Sequence, residues 1–286
     1  MQSANAHAIR TLDTLQFGVP GTGAAFLIDA PMPVLIEAGT ARAAHHLLEQ
    51  LEGQPPQLIF LTHVHLDHAG AAGHMLQQFT SAKVGVHIRG LRHLEHPDRL
   101  VNGVRRASPD VFPLYGEPLP IPADRLFALA GGERFDLGDG FVLEVVATPG
   151  HAPHHLCYFE HRTGTLFTGD ALGNWNLAVN VPLTVPPRFD LDQELASLRR
   201  MRRLKPRRLA FTHFGISNTP ARELDRYECE LVSWFEKLRH LARTLSDDAI
   251  VASILGEPGK RGLSALDQPL VEMCIRGGLL SLACKR

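Results

Sequence analysis

Apolar and polar residues alternate in short blocks along most of the chain, and Gly, Pro or Asp separates many of the blocks. Short apolar blocks between turn residues predict strands, whereas apolar residues three and four positions apart predict helices. The predicted strands lie at 24–28, 34–36, 57–62, 84–88, 126–130, 141–147, 156–159, 165–168 and 207–212. The predicted helices lie at 40–51, 69–79 and 191–204, and a turn is predicted at 136–140. This order of elements predicts an α/β fold.

The spacing of apolar residues changes after Pro220, where they recur every three or four positions. The stripe consists of Leu224, Tyr227, Leu231, Trp234, Phe235, Leu238, Leu241 and Leu245. Such a stripe predicts one long helix with a buried face. We therefore predict a main domain over residues 1–220 and a C-terminal helical extension over residues 221–286.

The strand predicted at 57–62 leads directly into the sequence His63-Val64-His65-Leu66-Asp67-His68. Open α/β folds place their chemistry at the carboxyl ends of strands. Four of these six residues are potential metal ligands, and imidazole with carboxylate suits zinc, with iron or manganese as alternatives. Structural zinc sites are usually closed by Cys ligands, and no Cys lies near this loop. The loop therefore predicts a functional metal site.

Three later strands also end in a residue that can bind a metal. His151 follows Pro149-Gly150, Asp170 follows Gly169, and His213 follows Thr212. Each polar residue stands where a predicted strand leaves the core, as His63 does. Taken alone, each would be an ordinary loop residue, so their interpretation depends on the pattern as a whole.

In order and separation, these motifs resemble those of the metallo-β-lactamase-fold hydrolases, from about residue 20 to residue 215. The resemblance implies a four-layer αββα sandwich of two mixed β-sheets, followed here by the helical extension. It also implies two divalent metal ions. The implied ligands are His63, His65 and His151 for one ion, Asp67, His68 and His213 for the other, and Asp170 as a bridge between them.

Two ions of this kind imply hydrolytic chemistry. A water molecule between two cations loses a proton near neutral pH and becomes a strong nucleophile. One ion can polarise the substrate oxygen, while Asp67 or Asp170 orients the nucleophile or receives its proton. These two residues are the predicted catalytic residues. The predicted reaction is cleavage of an ester, thioester or lactone of a small molecule, with zinc as the first expectation for the metal.

Three residues near the motifs could bind a metal but are not assigned as ligands. His154 and His155 lie beside His151, but the family pattern uses the histidine directly after Pro-Gly, so we assign these two a supporting or structural role. Related chains commonly carry Asp-x-Gly after an early strand, whereas this chain has Glu37-Ala38-Gly39. Glu37 is therefore expected to support the metal loop, with partners that the sequence leaves open.

Composition limits the partners and the compartment. The 286 residues are 44% hydrophobic and carry a formal net charge of −1, so the chain lacks the positive field of a nucleic-acid binder. The basic run 199–208 has no interleaved aromatic residues and is interpreted as the solvated face of a helix. The four Cys are widely spaced, which is typical of free thiols in a reducing compartment.

The sequence shows neither a signal-peptide pattern nor an apolar run close to the roughly 18 residues of a membrane span. We therefore predict a cytoplasmic protein with a small-molecule substrate, no nucleic-acid partner and no membrane partner. The apolar stripe after Pro220 is ordinarily internal packing, and it leaves a homodimer open.

The motifs can be compared with those of three hydrolases of this fold: β-lactamases, glyoxalase II and lactonases. True β-lactamases generally have Cys or Ser in place of the bridging Asp, so Asp170 disfavours that activity. Glyoxalase II resembles the chain in its ligands, but the C-terminal basic residues that hold a glutathione thioester are not recognised here. Lactonases add a Tyr that assists the carbonyl oxygen, and neither Tyr115 nor Tyr158 can be placed in that role from sequence.

Other reaction classes are the alternatives to this hydrolase. A phosphodiesterase or nuclease of the same fold is one, and an oxidoreductase resembling the persulfide dioxygenases, with a single iron, is another. A non-enzymatic scaffold is disfavoured because such chains usually lose ligands, whereas this one retains all seven.

Two segments are predicted to lie over the metal site. Residues 89–125, rich in Pro, His and charge, are expected to form a short helix and a lid, with residues 101–122 over the site. Residues 173–189 follow the bridging Asp and are expected to cross the mouth of the site, with Trp175 and Asn180 as substrate-binding residues. Phe214 directly follows a metal ligand and is expected to line the floor of the pocket.

Overall fold

Two six-stranded sheets form the framework of the computed structural model, which describes residues 9–51, 53–173, 181–185, 188–256 and 267–284. The first sheet contains β1 (Ile9–Asp13), β2 (Ala24–Ile28), β3 (Val34–Ile36), β4 (Leu58–Phe60), β5 (Lys83–His87) and β6 (Leu126–Leu129). The second contains β7 (Arg134–Gly138), β8 (Phe141–Ala147), β9 (Leu156–Glu160), β10 (Thr165–Phe167), β11 (Arg208–Ala210) and β12 (Ile216–Ser217).

Ten α-helices accompany the sheets in the described part of the chain. The early ones are α1 (Ala44–Gln50), α2 (Leu66–Ala69), α3 (Ala72–Gln78), α4 (Leu91–Glu95), α5 (Asp98–Ala107) and α6 (Phe112–Tyr115). The later ones are α7 (Leu191–Arg203), α8 (Pro220–Leu241), α9 (Asp247–Leu255) and α10 (Asp267–Ala283). No helix in these described ranges is long and apolar enough to cross a membrane.

Both sheets are mixed. In the first, β1, β2 and β3 pair antiparallel, and β3, β4, β5 and β6 pair parallel in chain order. In the second, the order is β12-β11-β10-β9-β8-β7, and only β10 and β11 pair parallel. Parallel pairing brings the carboxyl ends of β3 and β4 to one edge of the first sheet, where the metal-ligand loop begins.

The alternation of side chains along the strands explains the layers. In β2, Phe26 packs between the two sheets, whereas Leu27 packs against the helices outside the first sheet. In β9, Tyr158 packs between the sheets, whereas Phe159 packs against the helices outside the second. Strands buried on both faces have nearly continuous apolar sequences, which is why they were recognisable. The predicted αββα sandwich of two mixed sheets is confirmed.

The described C-terminal helices pack on the outer face of the second sheet. Side chains from α8, α9 and α10 share one hydrophobic cluster with α7 and with β9. Trp234 and Phe235 are buried in it, and the Phe235 ring stacks on Phe189 with centroids 5.7 Å apart. The predicted apolar stripe therefore faces inward from Leu224 to Leu238, whereas Leu245 lies beyond α8 and is exposed. The domain boundary at residue 220 remains a prediction.

Two predictions about local structure were wrong. Residues 89–125 form three α-helices, α4 to α6, where one short helix was predicted. Residues 136–140 were predicted as a turn, but β7 extends to Gly138 and only Asp139-Gly140 turn the chain, with φ of 50° and 77°. β7 is an edge strand with polar residues at alternate positions, so its apolar signal is weak. The short strand β1 was not predicted.

Truncation of Phe235 tests the hydrophobic core that α8 shares with the second sheet. The substitution Phe235→Ala is expected to lower the free energy of unfolding by about 3–5 kcal/mol, because it removes a fully buried aromatic ring and leaves a cavity. Denaturant unfolding measures this change. The control Val232→Ala, at an exposed position of the same helix, is expected to change it by less than about 0.5 kcal/mol. Equal effects of the two substitutions would contradict the packing described.

Candidate metal centre

All seven predicted metal ligands come together at one edge of the sandwich. His63, His65, His151 and Asp170 form one group, and Asp67, His68 and His213 form a second, each with ligand atoms within 4.8 Å of one another. The first sheet supplies the residues that follow β4. The second sheet supplies those that follow β8, β10 and β11. The centre therefore lies where strand ends of both sheets meet.

Asp170 lies between the two groups, and its two carboxylate oxygens face different histidines. Oδ2 is 3.2 Å from His151 Nε2 and 3.8 Å from His63 Nε2. Oδ1 is 3.1 Å from both His68 Nε2 and His213 Nε2. This is the geometry of a carboxylate that can bridge two ions.

The candidate ligand atoms fit divalent metal ions in two respects: the distances between them, and the buried polar atoms among them that lack hydrogen bonds. Two ligand atoms bound to one tetrahedral zinc ion lie about 3.3 Å apart. His65 Nδ1 lies 3.2 Å from His151 Nε2, close to that separation. Among the described residues, His63 Nε2, His68 Nε2 and Asp170 Oδ1 are buried and make no hydrogen bond of favourable geometry, although Oδ1 lies 3.1 Å from two imidazole nitrogens. Burying polar atoms unpaired costs free energy, and cations at this position would satisfy all three.

Hydrogen bonds to the outer ring nitrogens orient three of the histidines. His63 Nδ1 lies 3.0 Å from Thr62 Oγ1, and His68 Nδ1 lies 2.8 Å from Glu37 Oε1. His151 Nδ1 donates to the carbonyl oxygen of Leu183 at 3.0 Å. Each contact places the proton on Nδ1 and leaves the lone pair of Nε2 directed at the centre, as metal-binding histidines require.

Glu37 connects the contacts of His63 and His68 through a single carboxylate oxygen. The side chain is fully buried. Its Oε1 accepts hydrogen bonds from Thr62 Oγ1 at 2.6 Å, from His68 Nδ1 at 2.8 Å and from Thr212 Oγ1 at 3.1 Å. Thr62 precedes His63 and Thr212 precedes His213, so one carboxylate links the ligand loops of both sheets. The expectation that Glu37 supports the metal loop agrees with these contacts.

Glu194 supports the turn that carries His151, and sequence reasoning missed it. Its Oε2 accepts a hydrogen bond from the backbone N–H of His151 at 2.7 Å. A Cβ atom at Gly150 would lie only 2.1 Å from the same oxygen, so the turn requires glycine there. Burial raises the pKa of Glu194 well above its ordinary value. The available signal was an acidic residue on the apolar face of the helix predicted at 191–204.

His154 and His155 use their ring nitrogens within the protein. His155 Nε2 accepts from the backbone N–H of Asp170 at 3.1 Å, and its Nδ1 lies 2.8 Å from Thr148 Oγ1. His154 Nε2 accepts from the backbone N–H of Val64 at 3.3 Å. Burial lowers the pKa of His154 to about 3, so its ring is neutral at physiological pH. Both contacts match a supporting role, and the His155 contact holds the backbone of Asp170.

Charge is distributed unevenly over the centre. Burial, with the neighbouring histidines, lowers the pKa of His65 to about 3 and that of His63 well below its ordinary value. Burial also opposes charge on His68, but the carboxylates of Asp170 and Glu37 outweigh it and raise the pKa of His68 well above its usual range. Positive charge is thus favoured beside Asp170, which is the position that a divalent cation would take.

A cleft of about 1720 Å³ opens over the metal ligands. The described part of its wall comes from the loop 16–22, from α4, α5 and Tyr115, from residues 181–185, from Arg188 and from α10. The predicted substrate-binding residues Trp175 and Asn180 lie outside the described residues. Phe214 packs against the core between the sheets and is not among the described residues of the cleft wall, so its predicted role gains no support.

Tyr115 is a second residue whose place sequence reasoning could not define. It lies in the cleft wall with His65, Asp67 and Asp170, and only 8% of it is exposed. Its ring packs edge-on against Phe17 at 5.1 Å, and no described residue hydrogen-bonds its hydroxyl group. Tyr158, in contrast, donates its hydroxyl to the carbonyl oxygen of Leu61 at 2.6 Å and belongs to the core.

Replacement of Glu37 by Gln tests the link between the ligand loops. An amide has one acceptor oxygen and no charge, so Glu37→Gln is expected to weaken metal affinity by about 10–100-fold. Competition with a chromogenic chelator measures the affinity. Glu37→Asp is the informative partner, since the shorter carboxylate should recover part of the loss, and Glu49→Gln on the surface is the control. Unchanged affinity in Glu37→Gln would show that the carboxylate does not support the ligands.

Comparisons with known proteins agree with the geometry. The family model for the metallo-beta-lactamase superfamily matches residues 20–213. A metallo-beta-lactamase fold-containing protein of Sulfurisphaera tokodaii is 33% identical over 191 residues, which are 65% of this chain and 69% of that protein. Hydroxyacylglutathione hydrolase GloC of Haemophilus influenzae is 32% identical over 163 residues, 54% of this chain and 68% of that protein.

Among solved structures, an archaeal metallo-beta-lactamase superfamily protein from Sulfolobus tokodaii matches with a TM-score of 0.72 at 24% identity. The match covers 95% of this chain and 98% of that one, so the shared fold includes C-terminal helices. The family match, the ordered ligand motifs and the fold lead to one conclusion: this chain belongs to the metallo-β-lactamase superfamily.

Proposed function

We propose that this protein is a dinuclear metal-dependent hydrolase that cleaves an ester, thioester or lactone. The position of Asp170 carries the proposal, because its two oxygens face two separate groups of ligands. Similarity to a hydroxyacylglutathione hydrolase supports hydrolysis of an acyl compound. Zinc is the first candidate for both ions, with iron or manganese as alternatives.

The proposed division of labour follows from where the carboxylates lie. When bound, two divalent ions supply Lewis-acid polarisation of the scissile carbonyl and lower the pKa of the attacking water. Asp170 holds its carboxylate between the two ligand groups and orients that water. Asp67 is the more exposed of the two, with 15% of its side chain accessible, and Gln16 Nε2 holds its Oδ2 at 3.1 Å. Asp67 is thereby placed to receive a proton and return it to the leaving group.

Tyr115 is the proposed donor to the substrate oxygen. Burial, with the charges of Asp67 and Asp170, raises the pKa of Tyr115 above its ordinary value, so the phenol keeps its proton. A protonated hydroxyl group in the cleft wall, without a hydrogen-bond partner among the described residues, can donate a hydrogen bond to the oxygen on which negative charge develops. Tyr158 cannot serve, because its hydroxyl is already bonded inside the core.

A small-molecule substrate fits better than a nucleic acid. Several side chains of the basic run 199–208 are engaged within the protein. Arg202 pairs with Asp225 and Glu228, Arg200 donates to the carbonyl oxygen of Ala147, and Arg207 donates to that of Thr163. None of the run lies in the described wall of the cleft. A role in binding a polynucleotide to the metal site is therefore disfavoured.

Metal content and activity test the dinuclear hydrolase together. We expect two metal ions per chain by elemental analysis, and loss of ester or thioester cleavage after chelation that is reversed by zinc, iron or manganese. His65→Ala and Asp170→Ala are each expected to abolish turnover, whereas His74→Ala, on the surface, should retain it. One iron per chain with oxygen uptake would overturn the proposal in favour of the dioxygenase alternative.

Removal of one hydroxyl group tests the proposed role of Tyr115. Tyr115→Phe keeps the edge-on packing with Phe17 and is expected to lower kcat by about 10²–10³-fold, the usual loss for one oxyanion donor. Metal content and thermal stability should remain those of the unmodified protein. Steady-state kinetics on a carbonyl substrate measure the effect, and an unchanged kcat would remove Tyr115 from the mechanism.

A further inference from the structure

The cleft over the metal centre is much larger than the reaction requires. Its volume of about 1720 Å³ exceeds the roughly 300–1,000 Å³ typical of small-molecule sites. The metal ligands occupy only one part of its wall, and the remainder comes from helices and loops that contribute nothing to metal binding. We expect this additional surface to bind the parts of the substrate that do not react.

Much of this surface is apolar. Leu270, Val271 and Met273 of α10 line the cleft, as do Val181 and Leu183. Val181, Leu183 and Val271 belong to one hydrophobic cluster. This wall adjoins the metal centre, because the Leu183 carbonyl accepts the hydrogen bond from His151 Nδ1. The segment 181–185 is joined to α10 by a hydrogen bond from Thr184 Oγ1 to the carbonyl oxygen of Cys274. An alkyl chain would therefore meet an apolar surface directly beside the reacting group.

Exposed hydrophobic residues extend this surface. Among the described residues, Ile88 and Val19 are the two most exposed large hydrophobic side chains, at 58% and 43%. Both lie in the cleft wall. Scattered exposed hydrophobic residues are common, but their location in the same cleft as the apolar wall indicates a surface that a ligand covers.

The cleft also has an excess of unpaired positive charge. Arg89, Arg92 and Arg99 line it from the side of α4 and α5, and Arg188 lines it elsewhere. Arg92, Arg99 and Arg188 have no carboxylate within 4 Å in the described ranges, and Arg89 makes one long contact, 3.4 Å, to the carbonyl oxygen of Pro153. Other arginines of this chain do make ion pairs, namely Arg105, Arg134, Arg202, Arg226 and Arg276.

Acidic residues only partly offset these cations. Apart from the metal ligands, the acidic residues in the described cleft wall are Glu95 and Asp267, against four arginines. Arginine presents a planar set of donors that matches phosphate, and such charge-assisted hydrogen bonds are stronger than neutral ones. The cleft thus combines an apolar surface for a chain with cationic groups for an anion.

On the basis of the hydrolase function proposed above, we propose that the substrate is a fatty-acyl thioester whose thiol part carries phosphate. The apolar wall receives the acyl chain, and Arg92 and Arg99 bind the phosphate. In the reaction, the water oxygen bonds to the carbonyl carbon and the carbon–sulfur bond breaks. The thiol leaves with its proton, and the products are a fatty acid and a phosphate-bearing thiol. No oxidant or second substrate is needed.

Two series of thioesters test the two halves of this inference on the full-length, metal-loaded protein. Acyl-coenzyme A substrates with 2, 4, 8, 12 and 16 acyl carbons are compared with acyl N-acetylcysteamine thioesters of the same lengths, which lack phosphate. We expect kcat/KM to rise by about tenfold or more from 4 to 12 carbons as apolar surface is buried. We also expect about a tenfold preference for coenzyme A thioesters that falls with added salt.

Arginine variants locate the phosphate contact. Arg92→Ala/Arg99→Ala is expected to reduce the preference for coenzyme A over N-acetylcysteamine thioesters by about tenfold. Arg106→Ala, on the exposed face of α5 and outside the cleft wall, should keep the preference intact. Calorimetry with a non-hydrolysable acyl-coenzyme A thioether gives the same comparison without turnover. An unchanged preference in the double variant would overturn the assignment of these arginines.

A further experiment distinguishes the two possible sources of the phosphate-bearing thiol, free coenzyme A and an acyl carrier protein. The same acyl chains are presented on the phosphopantetheine arm of an acyl carrier protein. Faster cleavage on the carrier identifies the bound form, faster cleavage of the coenzyme identifies the free form, and either result supports the shared chemistry. Cleavage of short neutral thioesters, with no preference for chain length or phosphate, would overturn this inference and leave the hydrolase standing. No cleavage of any ester, thioester or lactone would contradict the hydrolase itself.

Discussion

A carboxylate buried among imidazoles is the constraint on which the site depends. Asp170 is almost entirely buried, and four histidine nitrogens lie within 4 Å of its two oxygens. A buried carboxylate is costly unless positive charge and hydrogen bonds compensate it. Residues from both sheets must therefore meet around Asp170. The two-sheet sandwich makes this possible, because strands from each sheet end at the same edge.

Buried acidic and polar side chains support the ligands from behind. Glu37 connects the loops after β4 and β11, Glu194 holds the turn that carries His151, and His155 holds the backbone of Asp170. Each contact acts on a different ligand loop. A metal centre needs ligand atoms placed to within tenths of an ångström, and outer hydrogen bonds are the usual means of holding them.

The walls of the cleft come from parts of the chain that take no part in metal binding. Helices α4 and α5 supply arginines, while α10 supplies apolar side chains, although these elements are far apart in sequence. The metal centre determines which bond can break, whereas the walls determine which molecule reaches it. This separation explains how one family of metal sites can serve several substrates, and why the ligands alone leave the substrate open.

The sequence alone determined the fold class, most strands and the set of seven residues that meet at the centre. The strands have a local signal, because strands buried on both faces are nearly continuously apolar. The seven ligands and the sandwich fold came instead from the order and separation of the motifs, which resemble those of the family. Tertiary structure decided what depends on distant contacts. The partners of Glu37, Glu194 and Tyr115 come from other loops, α4 to α6 form in a segment with little apolar periodicity, and β7 is recognisable only by its pairing with β8. The two-sided environment of Asp170 likewise arises because four separate strand ends meet, and no single stretch of sequence encodes that meeting.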